Sequence, residues 1–200
     1  MAADDVIEAL RAGRTVLLPT DTVYGLATSP AQESYAEGLY RLKGREHRQP
    51  VALVAASVEQ LLECVPELAG RDAEVARALL PGPFTLVLPN PAHRYPWLTG
   101  SRPETIGVRV PAVTGDALRV LEAVGCVAAT SANDPGGPDP VSLDDVPARI
   151  RSGCAAELDA GRLPGIASTV LDFTGLEPQV LREGAAPSAE ALARVRAASS

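Results

Sequence analysis

The stretch Thr15-Val16-Leu17-Leu18-Pro19-Thr20-Asp21-Thr22-Val23-Tyr24-Gly25-Leu26 decides how this chain folds. Its first four residues form an apolar run that reads as a short buried strand, and Pro19 closes it. Thr20, Asp21 and Thr22 follow at once, placing three hydrogen-bonding side chains just past a strand end, where open α/β sheets present groups to ligands. Just upstream, Val6, Ile7 and Leu10 share one helical face that ends at Gly13.

Working outward, the pattern predicts a helix over Tyr35–Leu42 that delivers Lys43-Gly44-Arg45 at an exposed end, then a strand at Val51–Val54. Helices follow near Val58–Cys64 and Asp72–Leu80. Pro81-Gly82-Pro83 breaks the chain before the strands Phe84–Leu88 and Ile106–Val110, which are separated by a Pro/Gly-punctuated loop containing Trp97. A helix at Asp116–Ala123, a small-residue strand at Cys126–Ala129, a polar turn-rich loop from Ser131 to Pro138, strands at Val170–Phe173 and Gln179–Arg182, and a helix at Ala189–Val195 complete the outline. The fold class expected is mixed α/β: a single domain over residues 1–200, with one open twisted mixed sheet flanked by helices. Polar clusters recur at strand ends, which points to one large cleft assembled from several loops.

Composition narrows the function classes. A formal charge of −7 argues against a broad nucleic-acid surface, so any RNA contact is expected to be local. Cys64, Cys126 and Cys154 are far apart and include no Cys-x-x-Cys pair, which indicates neither a disulfide framework nor a zinc knuckle. Two histidines, His47 and His93, are a weak basis for a metal centre or a Ser-His-Asp triad. The acidic start and the lack of a long apolar run predict a cytoplasmic protein without a membrane segment.

Among 18 basic residues Lys43 is the only lysine. A compact ammonium there suggests a task that a planar guanidinium cannot perform. Arg41, Lys43, Arg45 and Arg48 gather four cations in an acidic chain, suited to a small polyanion such as a nucleotide triphosphate or, equally, to a solvated helix end. Neither Gly-x-x-x-x-Gly-Lys-Ser/Thr nor Gly-x-Gly-x-x-Gly is present, so phosphate binding would fall to side chains and scattered amides. Ser131 and Asn133 could supply such contacts or merely make a turn. Arg109, inside the apolar strand Ile-Gly-Val-Arg-Val, requires an anion, either a substrate carboxylate or a structural Asp or Glu. Thr20, Asp21 and Thr22 could line a site or cap a turn.

In order along the chain, seven runs together resemble the YrdC family of threonylcarbamoyl-AMP synthases. They are Pro19-Thr20-Asp21-Thr22-Val23-Tyr24-Gly25-Leu26, Lys43-Gly44-Arg45, Pro81-Gly82-Pro83-Phe84-Thr85, Thr105–Pro111, Ser131-Ala132-Asn133, Ser168–Asp172 and Leu181-Arg182-Glu183-Gly184. The resemblance implies a YrdC-like fold in its short form, without a C-terminal extra domain. It implies synthesis of L-threonylcarbamoyl-AMP from L-threonine, bicarbonate and ATP with release of pyrophosphate, which makes the chain a nucleotidyltransferase. It places threonine on Thr22, Arg109 and Ser168, and ATP on Arg45, Gln49, Thr105, Ser131, Asn133 and Arg182, with Lys43 and Arg45 as the catalytic cations at the phosphates. Magnesium is expected on the ATP phosphates. The implied partners are tRNA threonylcarbamoyl transferase proteins downstream, with at most weak contact to tRNA itself.

The chain departs from the family pattern at several positions. Glu46 and Gln49 stand where Pro and Asn are frequent, and Val54 where some members carry a threonine-contacting His. Asp134, Pro135 and Asp139 alter the loop after Asn133, and added carboxylates there would disfavour phosphate. Ala167 stands where an acidic residue is frequent. These changes keep a second reading open, a non-catalytic nucleotide- or RNA-binding paralogue of the same fold. A third, carbamoyl transfer in metalloenzyme maturation, belongs to a longer multidomain chain with zinc fingers.

Overall fold

In the order β1-β2-β6-β3-β5-β4-β7-β8, eight strands make one mixed sheet in the computed structural model, which describes residues 2–44 and 49–198. The strands are β1 (Val16–Pro19), β2 (Tyr24–Thr28), β3 (Ala52–Ala55), β4 (Phe84–Pro89), β5 (Thr105–Arg109), β6 (Cys126–Ser131), β7 (Thr169–Asp172) and β8 (Gln179–Arg182). Only β3–β5 and β4–β7 are parallel pairs; the other neighbours run antiparallel. The helices are α1 (Ala2–Arg11), α2 (Glu33–Lys43), α3 (Val58–Cys64), α4 (Arg71–Leu79), α5 (Gly115–Val124), α6 (Ala148–Ser152) and α7 (Ser188–Ala198).

The two faces of the sheet are covered unequally, and that inequality makes the cleft. On one face Leu26, Leu53, Leu86, Leu88, Val108 and Leu171 join a continuous core with residues of α2, α3, α4, α6 and α7. Among the described residues the other face is covered only at one end, where Val16, Leu18, Ala27, Val54 and Val127 meet Val6 and Leu10 of α1 and Val120 and Leu121 of α5. Strand β4 records the division in its own sequence. Phe84, Leu86 and Leu88 are buried, while Thr85, Val87 and Pro89 between them are only half-buried and turn toward the uncovered part. Truncating a fully enclosed leucine such as Leu86 to alanine would cost about 2–5 kcal/mol, because removed methyl groups leave a cavity.

Most elements fall where the pattern predicts them. Two do not. Tyr24–Thr28, to which the pattern assigned no element, is strand β2, paired with β1 through Leu17↔Leu26 and Leu18↔Gly25. All five of its residues are buried. Alternation is hidden there because Gly25 and Ala27 occupy one face while Tyr24 and Leu26 fill the other. The five-residue helix α6 was also unforeseen, being too short to show a helical period. Among the described residues no helix is long and apolar enough to cross a membrane.

Candidate functional site

The uncovered part of the sheet is a cleft of about 330 Å³. Strands β2 to β8 contribute its floor and walls, including Gly25, Ser131, Ala129, Ala52, Val54, Thr105, Gly107, Arg109, Thr85, Val87, Ser168, Val170 and Arg182. Arginine supplies all of the formal charge in this lining, from Arg102, Arg109 and Arg182. Among the described residues this concave surface carries guanidinium and hydroxyl groups and no carboxylate, which favours anions.

Thr20–Val23 close the β1–β2 hairpin as a turn stapled by one hydroxyl. Thr20 Oγ1 donates to the Val23 carbonyl (2.8 Å) and accepts from the amides of Thr22 and Val23 (both 3.2 Å). That turn presents Asp21 and Thr22 to Arg109 on β5. Arg109 Nη2 donates to Thr22 Oγ1 at 2.7 Å and to Asp21, whose second oxygen accepts from the Ala112 amide at 3.0 Å. Arg109 is 8% exposed, and its Nε finds no partner among the described residues. Burial pulls the guanidinium below its ordinary value, Asp21 opposes that shift, and the like charge of Arg182 adds to it. The sequence left a structural acid and a substrate carboxylate as alternatives for Arg109. The structure supplies the acid and still leaves one buried donor unused.

Ser168, just before β7, shares a hydrogen bond of 2.8 Å with Thr85 Oγ1. Its carbonyl accepts from Arg182 Nε and Nη2 at 3.0 and 2.8 Å, which holds that guanidinium over the β7–β8 end of the cleft. Gly184 is glycine for a steric reason: a Cβ there would fall on the carbonyl of Ala167.

Lys43, expected at an exposed helix end, is 4% exposed. Its Nζ donates to the Ser131 carbonyl at 2.6 Å and to Asn133 Oδ1. Asn133 also accepts from Ser131 Oγ (2.7 Å) and donates to the Gly137 carbonyl (2.7 Å). The end of α2 is roofed by this loop and by Arg149, which donates to the Leu42 carbonyl at 2.6 Å and pairs with Asp134. A roof built from residues so distant in sequence could not be anticipated from the helix itself. Of the two carboxylates in the altered loop, Asp134 is paired with Arg149, while Asp139 accepts only from the neutral amide of Asn133 at 3.4 Å.

Arg109, Ser168, Thr105, Ser131 and Arg182 therefore line one cleft, as the motifs imply. Thr22 and Asn133 are buried behind it, with side chains committed to Arg109 and to the Ser131–Gly137 loop. Gln49 is exposed and is not among the lining residues, its carbonyl accepting from Tyr40 at 3.3 Å. Arg45 lies outside the described residues. Sequence reasoning missed Arg102, a lining cation set among ordinary loop residues. Its Nη1 donates to Asp172 Oδ2 at 3.0 Å and its Nη2 to Thr174 Oγ1 at 3.2 Å.

Asp172 gives a stability prediction. Burial raises its pKa, but the Thr174 hydroxyl and amide and the Arg102 guanidinium outweigh that and leave it lowered. A depressed carboxylate stabilises the fold above its unfolded value, about 4, and that contribution is lost as pH falls through the folded value. Melting curves from pH 7 to pH 2 should show Asp172→Asn destabilised at neutral pH, with the gap from the parent closing in acid.

The family model described as Sua5_yciO_yrdC, Telomere recombination, matches residues 8–184. The chain belongs to the Sua5/YciO/YrdC family. A Halorhodospira halophila protein named threonylcarbamoyl-AMP synthase is 35% identical over 160 residues, covering 78% of this chain and 81% of that one. A Pyrococcus abyssi protein of the same name is 35% identical over 183 residues, covering 90% of this chain but 53% of its own. The crystal structure of P. abyssi Sua5 complexed with L-threonine superposes with a TM-score of 0.84 at 33% identity, covering 96% of this chain and 56% of that one. This family member thus spans just over half the length of the P. abyssi relative and about four fifths of the H. halophila one.

Proposed function

We propose that this chain makes L-threonylcarbamoyl-AMP from L-threonine, bicarbonate and ATP, releasing pyrophosphate, as a nucleotidyltransferase that supplies tRNA modification. The observation that carries the reading is the unused Nε of a buried Arg109 in an anion-favouring cleft, within a family whose similar members bear that synthase name. A threonine carboxylate completes Arg109, with Ser168 beside it. Thr22 acts through Arg109, since its hydroxyl is taken up there.

Ser131 and Thr105 face the cleft from the far ends of β6 and β5 relative to Arg109 and receive the nucleotide. Lys43 and Asn133 hold Ser131 in place from behind. Arg182 lies with Ser168 and Arg109, where its charge reaches the phosphates at the point of reaction. No nucleophilic side chain is required. The threonine amine condenses with bicarbonate, forming the C–N bond of a carbamate as a C–O bond breaks and water leaves; a carbamate oxygen then attacks the α-phosphorus, and pyrophosphate leaves. Catalysis then consists of holding two anionic partners in line and stabilising charge on the transferring phosphoryl group.

Magnesium fits as an ion carried by the triphosphate. No carboxylate lines the cleft, and no cluster of three or more His, Cys, Asp or Glu suited to a metal occurs among the described residues. Bound there, it would neutralise phosphate charge. The product's use by downstream threonylcarbamoyl transferase proteins, a cytoplasmic location and at most local tRNA contact belong to the same proposal.

The deciding assay follows pyrophosphate from purified protein supplied with ATP, magnesium and bicarbonate. Release should depend on added threonine. Turnover indifferent to threonine, or nucleotide binding without turnover, would favour the non-catalytic reading instead.

A further inference from the structure

Thr85 carries a hydroxyl where β4 would accept a plain valine. It lines the cleft beside Val87, half-buried, and β-branched residues of either kind suit that backbone. Its Oγ1 has one partner among the described residues, Ser168 Oγ at 2.8 Å, and either oxygen could be the donor. Which of the two donates sets what the cleft presents to a ligand.

The neighbours narrow the choice. Thr85 pairs with Val170 on β7, Val170 pairs with Arg182 on β8, and the register Leu86↔Val108 carried one step further sets Thr85 opposite Arg109. The two hydroxyls thus lie between the two guanidiniums at this end of the cleft. Arg182 Nη2 donates to Ser168 Oγ at 3.2 Å as well as to the Ser168 carbonyl. A guanidinium cannot accept, so this bond occupies one lone pair of Ser168 and leaves its proton untouched. If Ser168 gave that proton to Thr85, it would keep an open lone pair and have no donor left for an anion. If Thr85 donates instead, both lone pairs of Ser168 are occupied and the serine has only its proton to offer. An ionised carboxylate accepts and never donates, so the second arrangement is the one that lets Ser168 receive it. Two donors to one hydroxyl also polarise it and strengthen the bond it makes in turn.

We infer that Thr85 is a positioning residue, whose hydroxyl donates to Ser168 Oγ and so holds the Ser168 proton toward the carboxylate of the bound amino acid. This rests on the reading that Arg109 and Ser168 receive threonine, and adds what makes the serine a donor. Thr85 acts through Ser168 and not on the substrate itself. Valine in its place keeps the shape of the strand but frees a lone pair on Ser168, which then repels the carboxylate or lets the hydroxyl turn away. Losing a well-aimed hydrogen bond to a charged group weakens binding by about tenfold or somewhat more.

The test is Thr85→Val beside Thr85→Ser, which restores the hydroxyl. Thr85→Val should raise the KM for threonine about tenfold, with kcat within about threefold and the KM for ATP within about twofold of the parent. Thr85→Ser should bring the threonine KM back to within about threefold. Both should melt within about 3 °C of the parent; if Thr85→Val folds poorly, Thr85→Ala removes the same hydroxyl and carries the same expectations. Calorimetry of threonine binding to the parent, Thr85→Val, Ser168→Ala and the double variant then isolates the coupling. On the Ser168→Ala background, Thr85→Val should change the affinity less than about twofold. A tenfold loss that persists on that background means that Thr85 meets the substrate directly, and it overturns the inference. Equal losses toward threonine and ATP, failure of Thr85→Ser to rescue, or a Thr85→Val that binds threonine as the parent does would overturn it as well. A parent chain that binds threonine but releases no pyrophosphate sinks the synthase reading, while the binding cycle still settles the role of Thr85.

Discussion

Arg109→Lys is expected to lower threonine-dependent pyrophosphate release by at least about a hundredfold while leaving a folded protein. The guanidinium donates through Nη2 to Asp21 and Thr22, and its buried Nε has no partner among the described residues. A lysine ammonium can neutralise Asp21 but cannot also offer a second donor in a fixed fork. Losing one charge-assisted bond to a carboxylate costs about 1.5–3 kcal/mol, or roughly 10- to 150-fold, and displacement of the amino acid adds to it. Arg109→Ala is the less informative change. It strands the Asp21 carboxylate, which is 10% exposed, and breaking a buried pair on one side costs about 3–5 kcal/mol of stability. Steady-state kinetics should place the Arg109→Lys defect mainly in kcat/KM for threonine, with the response to ATP concentration much less changed.

Lys43→Ala is expected to lower both turnover and stability. The ammonium is enclosed, and its removal leaves the Ser131 carbonyl without this donor and Asn133 Oδ1 with the Ser131 hydroxyl alone. An unsatisfied buried group costs about 1–3 kcal/mol, so a loss of about 1–3 kcal/mol in denaturant unfolding is anticipated. Ser131 then loses the group that fixes it, and the apparent affinity for ATP should fall at least tenfold. The KM for threonine should move little, because the hydrogen bonds of Arg109 and Ser168 run to Asp21, Thr22, Thr85 and Arg182 and not to this loop among the described residues. A purely structural role would lower both affinities alike.

Much of the fold was legible because single strands carry their own signal. The alternation in Phe84–Pro89 announces which side faces the core, and Leu53, Val108 and Leu171 mark strands that cross it. Strand β2 was not legible, since Gly25 and Ala27 are small for different reasons, one facing the cleft and the other packed under α1. Of the residues the motifs name, Arg109, Ser131, Thr105, Ser168 and Arg182 line one cleft. What sequence could not disclose is direction and depth. Asp21 and Arg109 are separated by 88 residues, and their pairing depends on how the β1–β2 turn is placed against β5 in the folded sheet. Thr22 points at Arg109 rather than into open space, and the burial of Lys43 depends on a loop and an arginine contributed much later in the chain. Such facts live in tertiary packing, and local pattern carries no trace of them.

A crystal structure of this protein with threonine and a non-hydrolysable ATP analogue bound together tests the account most directly. Threonine should lie with its carboxylate on Arg109, and the nucleotide should be held by Ser131 and Thr105. Either ligand bound outside this cleft, or threonine held away from Arg109, would contradict it.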